Sequence, residues 1–434
     1  MNHTESTLPD VQTPDGAEPA YAAFVGIDWA DRQHAVALLD PQSGTVTHEN
    51  VAQTPEALDD WALQLLQRFG GLPIAVALEQ SRGALIYALM KYPHLVPYPV
   101  PPARLAAYRQ AFTSSGAKDD PTDADLVLDY LVKHRQALRP WRPDCQQTRH
   151  LQLLVEQRRK IVDQRTALSN QLTAQLKCTF PQAIDWLGDK LYTRLATDFL
   201  LKWPDLQSLQ RSKIDTVRRF FYAHNLRRGD IIEARLDQMR TAKPLVDDPA
   251  LLAVGQMTVK ALAGLLRQLV DTVAGFEKQI QQVFADHDDA PIFSSLPGAG
   301  KALSPRLACA FGSDRGRFTQ AQDMQIFSGI APVTKRSGKT MLVQRRWACP
   351  TFVKQTFHEF AGCSIGRSIW AKSFYDLQRS RGKGHHAAVR SLASKWIRII
   401  VACWHARTPY DEARYLAQLR LRRSPLLQYL PSPE

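Results

Sequence analysis

Four carboxylates occupy positions where the neighbouring residues leave an acid costly unless positive charge meets it. Asp28 closes the apolar run Phe24-Val25-Gly26-Ile27, and Glu79 closes Ile74-Ala75-Val76-Ala77-Leu78. An acid at the end of a buried strand needs compensation, and a divalent cation supplies it. Carboxylates that share Mg²⁺ suit phosphodiester chemistry, where two metals about 4 Å apart stabilise the attacking and leaving oxygens. Asp120 and Asp123 are three residues apart, on one face of a helix, and can approach the strand-borne pair. Capping accounts for them as well, since Asp120-Pro121-Thr122-Asp123 reads as an N-cap, an N1 proline and an acidic N3. Asp28 alone would also suit a turn at a strand end. Asp119 and Asp125 are the neighbouring alternatives to the helix pair.

A serine lies far downstream in Thr334-Lys335-Arg336-Ser337-Gly338-Lys339-Thr340, followed by Arg345-Arg346, with no acid between Lys335 and Arg346. Such a segment attracts phosphate. Gly338 lets the backbone approach a ligand closely, and the Ser337 hydroxyl can attack phosphorus if a metal or base takes its proton. A plain turn, or simple phosphate contact by Ser337, explains the same residues. Arg379, Arg381, Lys383, Arg390, Lys395 and Arg398 make a second basic segment without an acid, interleaved with His385-His386 and Trp396. It is a candidate nucleic-acid surface. Its other face, Val389, Leu392, Trp396, Ile399, Ile400 and Cys403, has the spacing of a core-packed helix. The paired histidines read as polar loop residues, because no partner has metal-ligand spacing. Pro297-Gly298-Ala299-Gly300 resembles a helix-hairpin-helix turn able to grip phosphate through its amides, and equally a turn that starts a helix.

The elements that must position these residues follow from the patterning. Residues 1–20 are polar and acidic and cannot bury enough apolar surface to order, so a disordered tail is expected. Phe24 to Ala30 and Ala35 to Asp40 read as a hairpin, Ala57 to Phe69 as a helix, and Pro73 to Glu79 as a further strand. This is an α/β pattern. Five prolines between Pro93 and Pro102 predict a rigid connection before a helical stretch with Leu105, Tyr108 and Phe112. Beyond Pro143, Leu154, Ile161 and Leu168 recur every seven residues with Leu151 and Leu172 in support. The spacing returns at Leu262, Leu266, Leu269, Val273, Phe276, Ile280 and Val283. Two coiled-coil arms pairing within or between chains fit, as does an ordinary helical bundle. The expected organisation is a tail over 1–20, an α/β domain over 21–143, a helical coiled-coil linker over 144–290 and a mainly helical domain over 291–434.

Length and charge agree with this division. The 434 residues suffice for two or three domains. Net charge is +13, and the first twenty residues hold four acids and no Lys or Arg, so the remainder carries +17. A polyanionic partner is favoured over mere solubility. Six scattered cysteines without a CxxC pair argue against a zinc ribbon or a disulfide framework and for reduced thiols in a cytoplasm. No signal peptide and no uncharged membrane-length run stands out, so neither secretion nor membrane insertion is expected.

Val25-Gly26-Ile27-Asp28, Leu78-Glu79, Lys118-Asp119-Asp120-Pro121-Thr122-Asp123-Ala124, Leu296-Pro297-Gly298-Ala299-Gly300, Phe327 to Pro332 and Ser337-Gly338 occur in one order, followed by the helix Ala387 to Trp404. From about Phe24 to Leu419 the chain resembles the IS110 family of insertion-sequence transposases, the bridge-RNA-guided recombinases. The resemblance implies an RNase H-like (RuvC-like) N-terminal domain with an acidic DEDD tetrad mapping to Asp28, Glu79, Asp120 and Asp123. It further implies a coiled-coil linker and a C-terminal transposase domain whose catalytic serine maps to Ser337. Mg²⁺, a 5′-phosphoserine link to DNA, donor and target DNA, an element-encoded bridge RNA, a dimeric or tetrameric assembly and a nucleoid-associated location go with it. Asp119 and Pro121 depart from the family's commoner Lys-Thr-Asp-Lys style, and the acidic extension has no counterpart. The competing expectations are a junction nuclease in which water attacks, a non-catalytic nucleic-acid scaffold, and an actin-like sugar kinase. The last lacks matching second and third phosphate loops.

Overall fold

The computed structural model describes residues 20–79, 83–111, 120–338 and 340–430, with the side chains of 120–122 excepted. The tail expected over 1–20 lies, apart from Ala20, outside the described residues, as do Phe112, Asp119 and Lys339. Two compact units make up the chain, residues 1–143 and 144–434.

In the first unit β1 (Ala23–Asp28), β2 (Gln33–Asp40), β3 (Thr45–Ala52), β4 (Ile74–Leu78) and β5 (Leu95–Pro99) form one sheet in the order β3-β2-β1-β4-β5. β1 runs antiparallel to β2 and parallel to β4, and β4 runs parallel to β5. Strands buried on both faces must be apolar throughout, which is why β4 reads Ile-Ala-Val-Ala-Leu. The two-residue alternation sorts those side chains. Ala23, Val25, Ile27, Ile74, Val76 and Leu78 meet α1 (Pro55–Arg68) and α2 (Ala84–Leu89) in one core. Thr54 starts α1 by accepting a hydrogen bond from the Ala57 amide, with Pro55 at N1, and Leu58, Trp61, Ala62 and Leu65 form its buried stripe. The opposite face of the sheet carries small residues, Gly26, Ala35, Ala37, Ala75 and Ala77. They let α4 (Asp120–His134), beside α3 (Pro102–Gln110), lie close to the sheet through Ala124, Val127, Leu128 and Leu131.

Two strands escape the sequence patterning. β3 is an edge strand of mostly exposed polar residues, Thr-Val-Thr-His-Glu-Asn-Val-Ala, and shows no buried alternation. The proline-rich stretch is not merely a connection: Leu95–Pro99 pairs with β4 as the other edge, where proline is tolerated.

The second unit is built on two long helices, α5 (Gln146–Thr179) and α11 (Pro249–Ala285). They pair antiparallel within the chain. Thr148 Oγ1 bonds His287 Nε2 beyond the end of α11 at 2.9 Å, Arg158 pairs with Glu277, and Gly255 packs on Thr179. At about 1.5 Å per residue, each helix spans about 50 Å. α11 has the length and apolar composition of a membrane-crossing helix, but Lys260 and Arg267 interrupt it and its Val259, Ala263, Leu266, Val273 and Ile280 are buried in the packing. The segment between the arms is not plain linker. α6 (Gln182–Leu187), α7 (Arg194–Lys202), α8 (Leu206–Gln210), α9 (Ile214–Ala223) and α10 (Gly229–Thr241) form a small bundle on the ends of the arms. Phe180, Trp186, Phe199, Trp203 and Phe221 fill its core.

The remaining elements gather at the other ends of the arms in a single large core. They are α12 (Ala290–Ser294), α13 (Gly300–Phe311), α14 (Ala321–Phe327), α15 (Thr351–Ser364), α16 (Ile369–Ser380), α17 (His385–Ala406) and α18 (Glu412–Leu421), while the strands β6 (Val333–Ser337) and β7 (Thr340–Gln344) stand outside that core. Fully buried Trp370, Trp396 and Trp404 satisfy their indole N–H groups on Tyr410 Oη, Ser364 Oγ and Asp289 Oδ2. Gly298 sits at φ +83° in the turn before α13, and a Cβ there would lie 2.7 Å from the Cys363 carbonyl oxygen. Packing against α15 is what that glycine serves. His385 and His386, expected in a loop, are the first residues of α17.

Candidate active site and nucleic-acid surface

The first unit brings three of the sequence-predicted acids to one end of its sheet. The register Ile27↔Leu78 is the last pair of β1 and β4, so Asp28 ends β1 and Glu79 follows β4 at the same end of the sheet. Alternation puts Asp28 on the face of Phe24 and Gly26, which is the face α4 covers, and Glu79 lies in the bend directly after β4. α4 runs antiparallel to β1. Arg135, just beyond its C-terminus, stacks on Tyr21 and Phe24 at 5.1 and 5.5 Å, at the start of the strand, whereas Ala124 and Leu128 touch Gly26. The first turn of α4, with Asp120 and Asp123, therefore points toward the strand end that carries Asp28 and Glu79. Asp120 is the first residue of α4, and its side chain is outside those described. Asp123 is 4% exposed and accepts from Arg109 Nη2 of α3 at 2.5 Å. Asp125 turns away: its Oδ1 meets His48 Nε2 on β3 at 2.7 Å, and both side chains are about half exposed.

Among the described residues no three His, Cys, Asp or Glu side chains lie close enough together to hold a metal. The donor chemistry still fits a hard divalent cation, since the acids offer carboxylate oxygens only, and Arg109 is the cation paired with buried Asp123. Nothing in the sequence marks Arg109, which lies fourteen residues from its partner with no periodic signal.

Ser337 is the last residue of β6, paired with Thr340, the first residue of β7. The segment read as a loop is thus a hairpin, and Gly338 at φ +56° permits its two-residue turn. Ser337 is exposed, and its hydroxyl has no hydrogen-bond partner among the described residues. Both faces of the hairpin are open to solvent. Lys335, Arg336, Met341, Leu342 and Val343 are exposed, and Arg345 stacks at 4.7 Å on Trp347, which is 76% exposed. Arg346 is anchored at the base, with Nε 3.4 Å from the Ala331 carbonyl oxygen. Trp347 is an aromatic that sequence reasoning passed over. Its signal was a tryptophan directly after Arg345-Arg346.

The second basic segment divides in the structure. Arg379 donates to the Lys383 carbonyl at 2.9 Å, and Lys383 Nζ donates to Gln378 and Ser391, so these two tie the turn before α17. Arg381 is exposed and Arg390 half-buried. Lys395 Nζ lies 4.7 Å from the Phe374 ring and 5.6 Å from that of Trp370. Burial first, then Arg398, pulls its pKa below the ordinary lysine range. His385 bonds Tyr375 Oη at 2.8 Å and His386 meets His358 at 3.3 Å.

Comparison with known proteins assigns both units. Residues 25–181, which include all four acids, match the DEDD-type model of IS110 elements, described as a transposase. Residues 290–376, which include Ser337, match a model described as "Transposase IS116/IS110/IS902 family". The chain is 28% identical over 416 residues to the "Mini-circle putative transposase for IS117" of Streptomyces coelicolor, covering 93% of this chain and 98% of that protein. It is 24% identical to the "Insertion element IS900 uncharacterized 42 kDa protein" of Mycobacterium paratuberculosis, over 92% and 98% of the two chains. It is 25% identical to the "Insertion element IS110 uncharacterized 43.6 kDa protein" of Streptomyces coelicolor, over 89% and 95%. On two family matches that hold the acids and the serine, and on relatives matched along nearly their whole length, the chain belongs to the IS110/IS116/IS902 family of transposases.

Proposed function

We propose that this transposase excises and inserts DNA by strand exchange through a 5′-phosphoserine on Ser337, served by Asp28, Glu79, Asp120 and Asp123. The observation that carries the proposal is the common placement of Asp28, Glu79 and Asp123 at one strand-end edge of the sheet, inside the DEDD-type match. The strand order β3-β2-β1-β4-β5, with only the first hairpin connections antiparallel, supports an RNase H-like fold for this unit.

Each residue then has a role. Asp28 and Glu79 sit on the rigid sheet, Asp120 and Asp123 on the helix seated against it, and together they would hold a divalent cation, Mg²⁺ by preference for an all-oxygen set. When bound, that cation would supply positive charge against the negative charge that a phosphodiester displacement develops on its oxygens. Arg109 orients the Asp123 carboxylate through the 2.5 Å ion pair. Ser337 Oγ gives up its proton and bonds to phosphorus, and the bond to the 3′ oxygen breaks, so the freed strand ends in a 3′-hydroxyl. A 3′-hydroxyl of another strand then attacks the phosphoserine, closing the new phosphodiester and returning the proton to Ser337. No bond energy is lost, and no outside cofactor is consumed. Lys335, Arg336, Lys339 and Arg345 neutralise the phosphates flanking the scissile position. An element-encoded bridge RNA pairing with donor and target DNA supplies sequence choice, and a dimer or tetramer brings two sites to one synapse. The family resemblance supports these last two points.

The test is strand exchange on a plasmid carrying the element. Asp28→Asn, Glu79→Gln and Ser337→Ala should each abolish recombined product while leaving DNA retention intact. If Ser337→Ala still yields free nicked DNA, water is the nucleophile, and hydrolysis replaces strand exchange.

A further inference from the structure

A groove of about 930 Å³ lies between α17 and α18, at a distance in sequence from both the acids and the hairpin. Lys395, Arg398, Arg414 and Arg422 line it, against one carboxylate, Asp411. That carboxylate is committed to capping α18, where it accepts from the Arg414 amide at 3.1 Å. None of the four cations has a carboxylate partner among the described residues, although ion pairs are common elsewhere in the unit. A purely solvated basic face would place its cations outward on a convex surface. Here Lys395 is half-buried in the lining of the groove, its ammonium against the Phe374 ring, and Tyr415, also half-buried, lines it too. Burial first, then the neighbouring Arg398, disfavours the charged form of Lys395.

Concave cation placement with aromatic walls is the chemistry that grips a single strand, phosphates on the cations and sugar or base on the rings. A single strand can bend into a concave surface, whereas a duplex carries its phosphates on a stiff cylinder. We infer that the α17–α18 groove binds a single strand of nucleic acid along its phosphodiester backbone, with Lys395, Arg398, Arg414 and Arg422 meeting phosphates and Phe374 and Tyr415 meeting a base or sugar. The inference rests on the family's action on DNA, not on Ser337 or the acids, so failure of the phosphoserine chemistry leaves it standing. In a strand-exchange protein the groove would hold a strand that has been opened away from its complement.

The test uses the full chain and fluorescein-labelled 20-nucleotide probes of one sequence as single-stranded DNA, single-stranded RNA and duplex DNA. In R398Q/R414Q/R422Q, which alters exposed side chains, single-strand affinity should fall by about 10- to 100-fold at about 0.1 M salt, and the slope of log affinity against log salt should become shallower by about 2, at about 0.7 per lost contact. Duplex affinity should change less than about threefold. R398K/R414K/R422K should restore the slope. Whether DNA or RNA shows the larger loss identifies the strand's source. Unchanged single-strand affinity and slope, or equal losses for single strand and duplex, would overturn the assignment. Should the glutamine variant melt early, photocrosslinking with iodouracil-bearing probes decides: adducts on Tyr415 or Phe374 support the groove, and adducts confined to residues outside α16–α18 overturn it.

Discussion

Gly26→Ala tests how the acidic edge is assembled. A Cβ at position 26 would fall within 3 Å of the Ala124 carbonyl oxygen and the Leu128 amide nitrogen, and 2.8 Å from Leu128 Cα. All three are backbone atoms of α4, so no side chain can swing aside. To reach an ordinary contact near 3.4 Å, α4 must retreat by about 1 Å from β1. The small residues Ala35, Ala37, Ala75 and Ala77 that seat the helix would then lose contact with Ala124, Val127, Leu128 and Leu131. Overpacking of this kind costs about 1–3 kcal/mol, and because the obstacle is main chain we expect about 3 kcal/mol, or a melting shift of about 10 °C for a unit of this size. Asp123 moves with α4, and a displacement near 1 Å at reacting groups costs about 100-fold in rate. The assays are thermal and urea unfolding with strand exchange in parallel. Wild-type stability together with wild-type exchange would refute the seating of α4 on β1, and with it the proposed joint action of Asp123 with Asp28 and Glu79.

Three further perturbations separate other parts of the account. Arg109→Gln strips the ion-pair partner from the buried Asp123 carboxylate and should destabilise the first unit by about 3 kcal/mol in chelator; Mg²⁺ should raise the variant's melting temperature more than the parent's, and equal shifts would argue against Asp123 as a ligand. His287, with Nε2 on Thr148 and Nδ1 accepting from the Asp289 amide, has its pKa lowered chiefly by burial. Its native form is neutral, so the stability it contributes is present above its unfolded value of 6.5 and is lost as pH falls below it, at up to about 1.4 kcal/mol per pH unit. His287→Gln should flatten the acid limb of urea unfolding between pH 6.5 and 5, and an unchanged limb would exclude His287. Lys335→Gln with Arg336→Gln should weaken duplex binding and reduce the salt slope by about 2, at about 0.9 per contact; an unaltered slope would remove the hairpin from the DNA surface.

The legible parts of this molecule are those whose packing is local or periodic. β1 and β4 stand out because both faces are buried and their apolar runs end abruptly on Asp28 and Glu79. α5 and α11 stand out through heptad spacing, although spacing alone left open whether they pair within the chain. Sequence patterning missed β3 because an exposed edge strand needs no apolar alternation, and misread β5 because prolines there sit where no partner asks for their N–H. The bundle of α6 to α10 is held by aromatics meeting across five short helices, a tertiary fact without a period. The Ser337 hairpin did carry a signal, two five-residue runs around a glycine-containing two-residue turn, but exposed polar strands obscured it. The site partners Arg109, Arg414 and Arg422 come from elements that only the folded chain brings beside Asp123 and Lys395.

The most direct measurement of the central claim is mass mapping of protein covalently held to DNA after denaturation of a strand-exchange reaction. The expected species is the peptide containing Ser337 with the 5′-phosphate of the cleaved strand on its hydroxyl, present in the parent chain and lost in Ser337→Ala and in Asp28→Asn. A phosphorylated peptide from elsewhere in the chain, or cleaved DNA with free 5′ ends and no adduct, would contradict it.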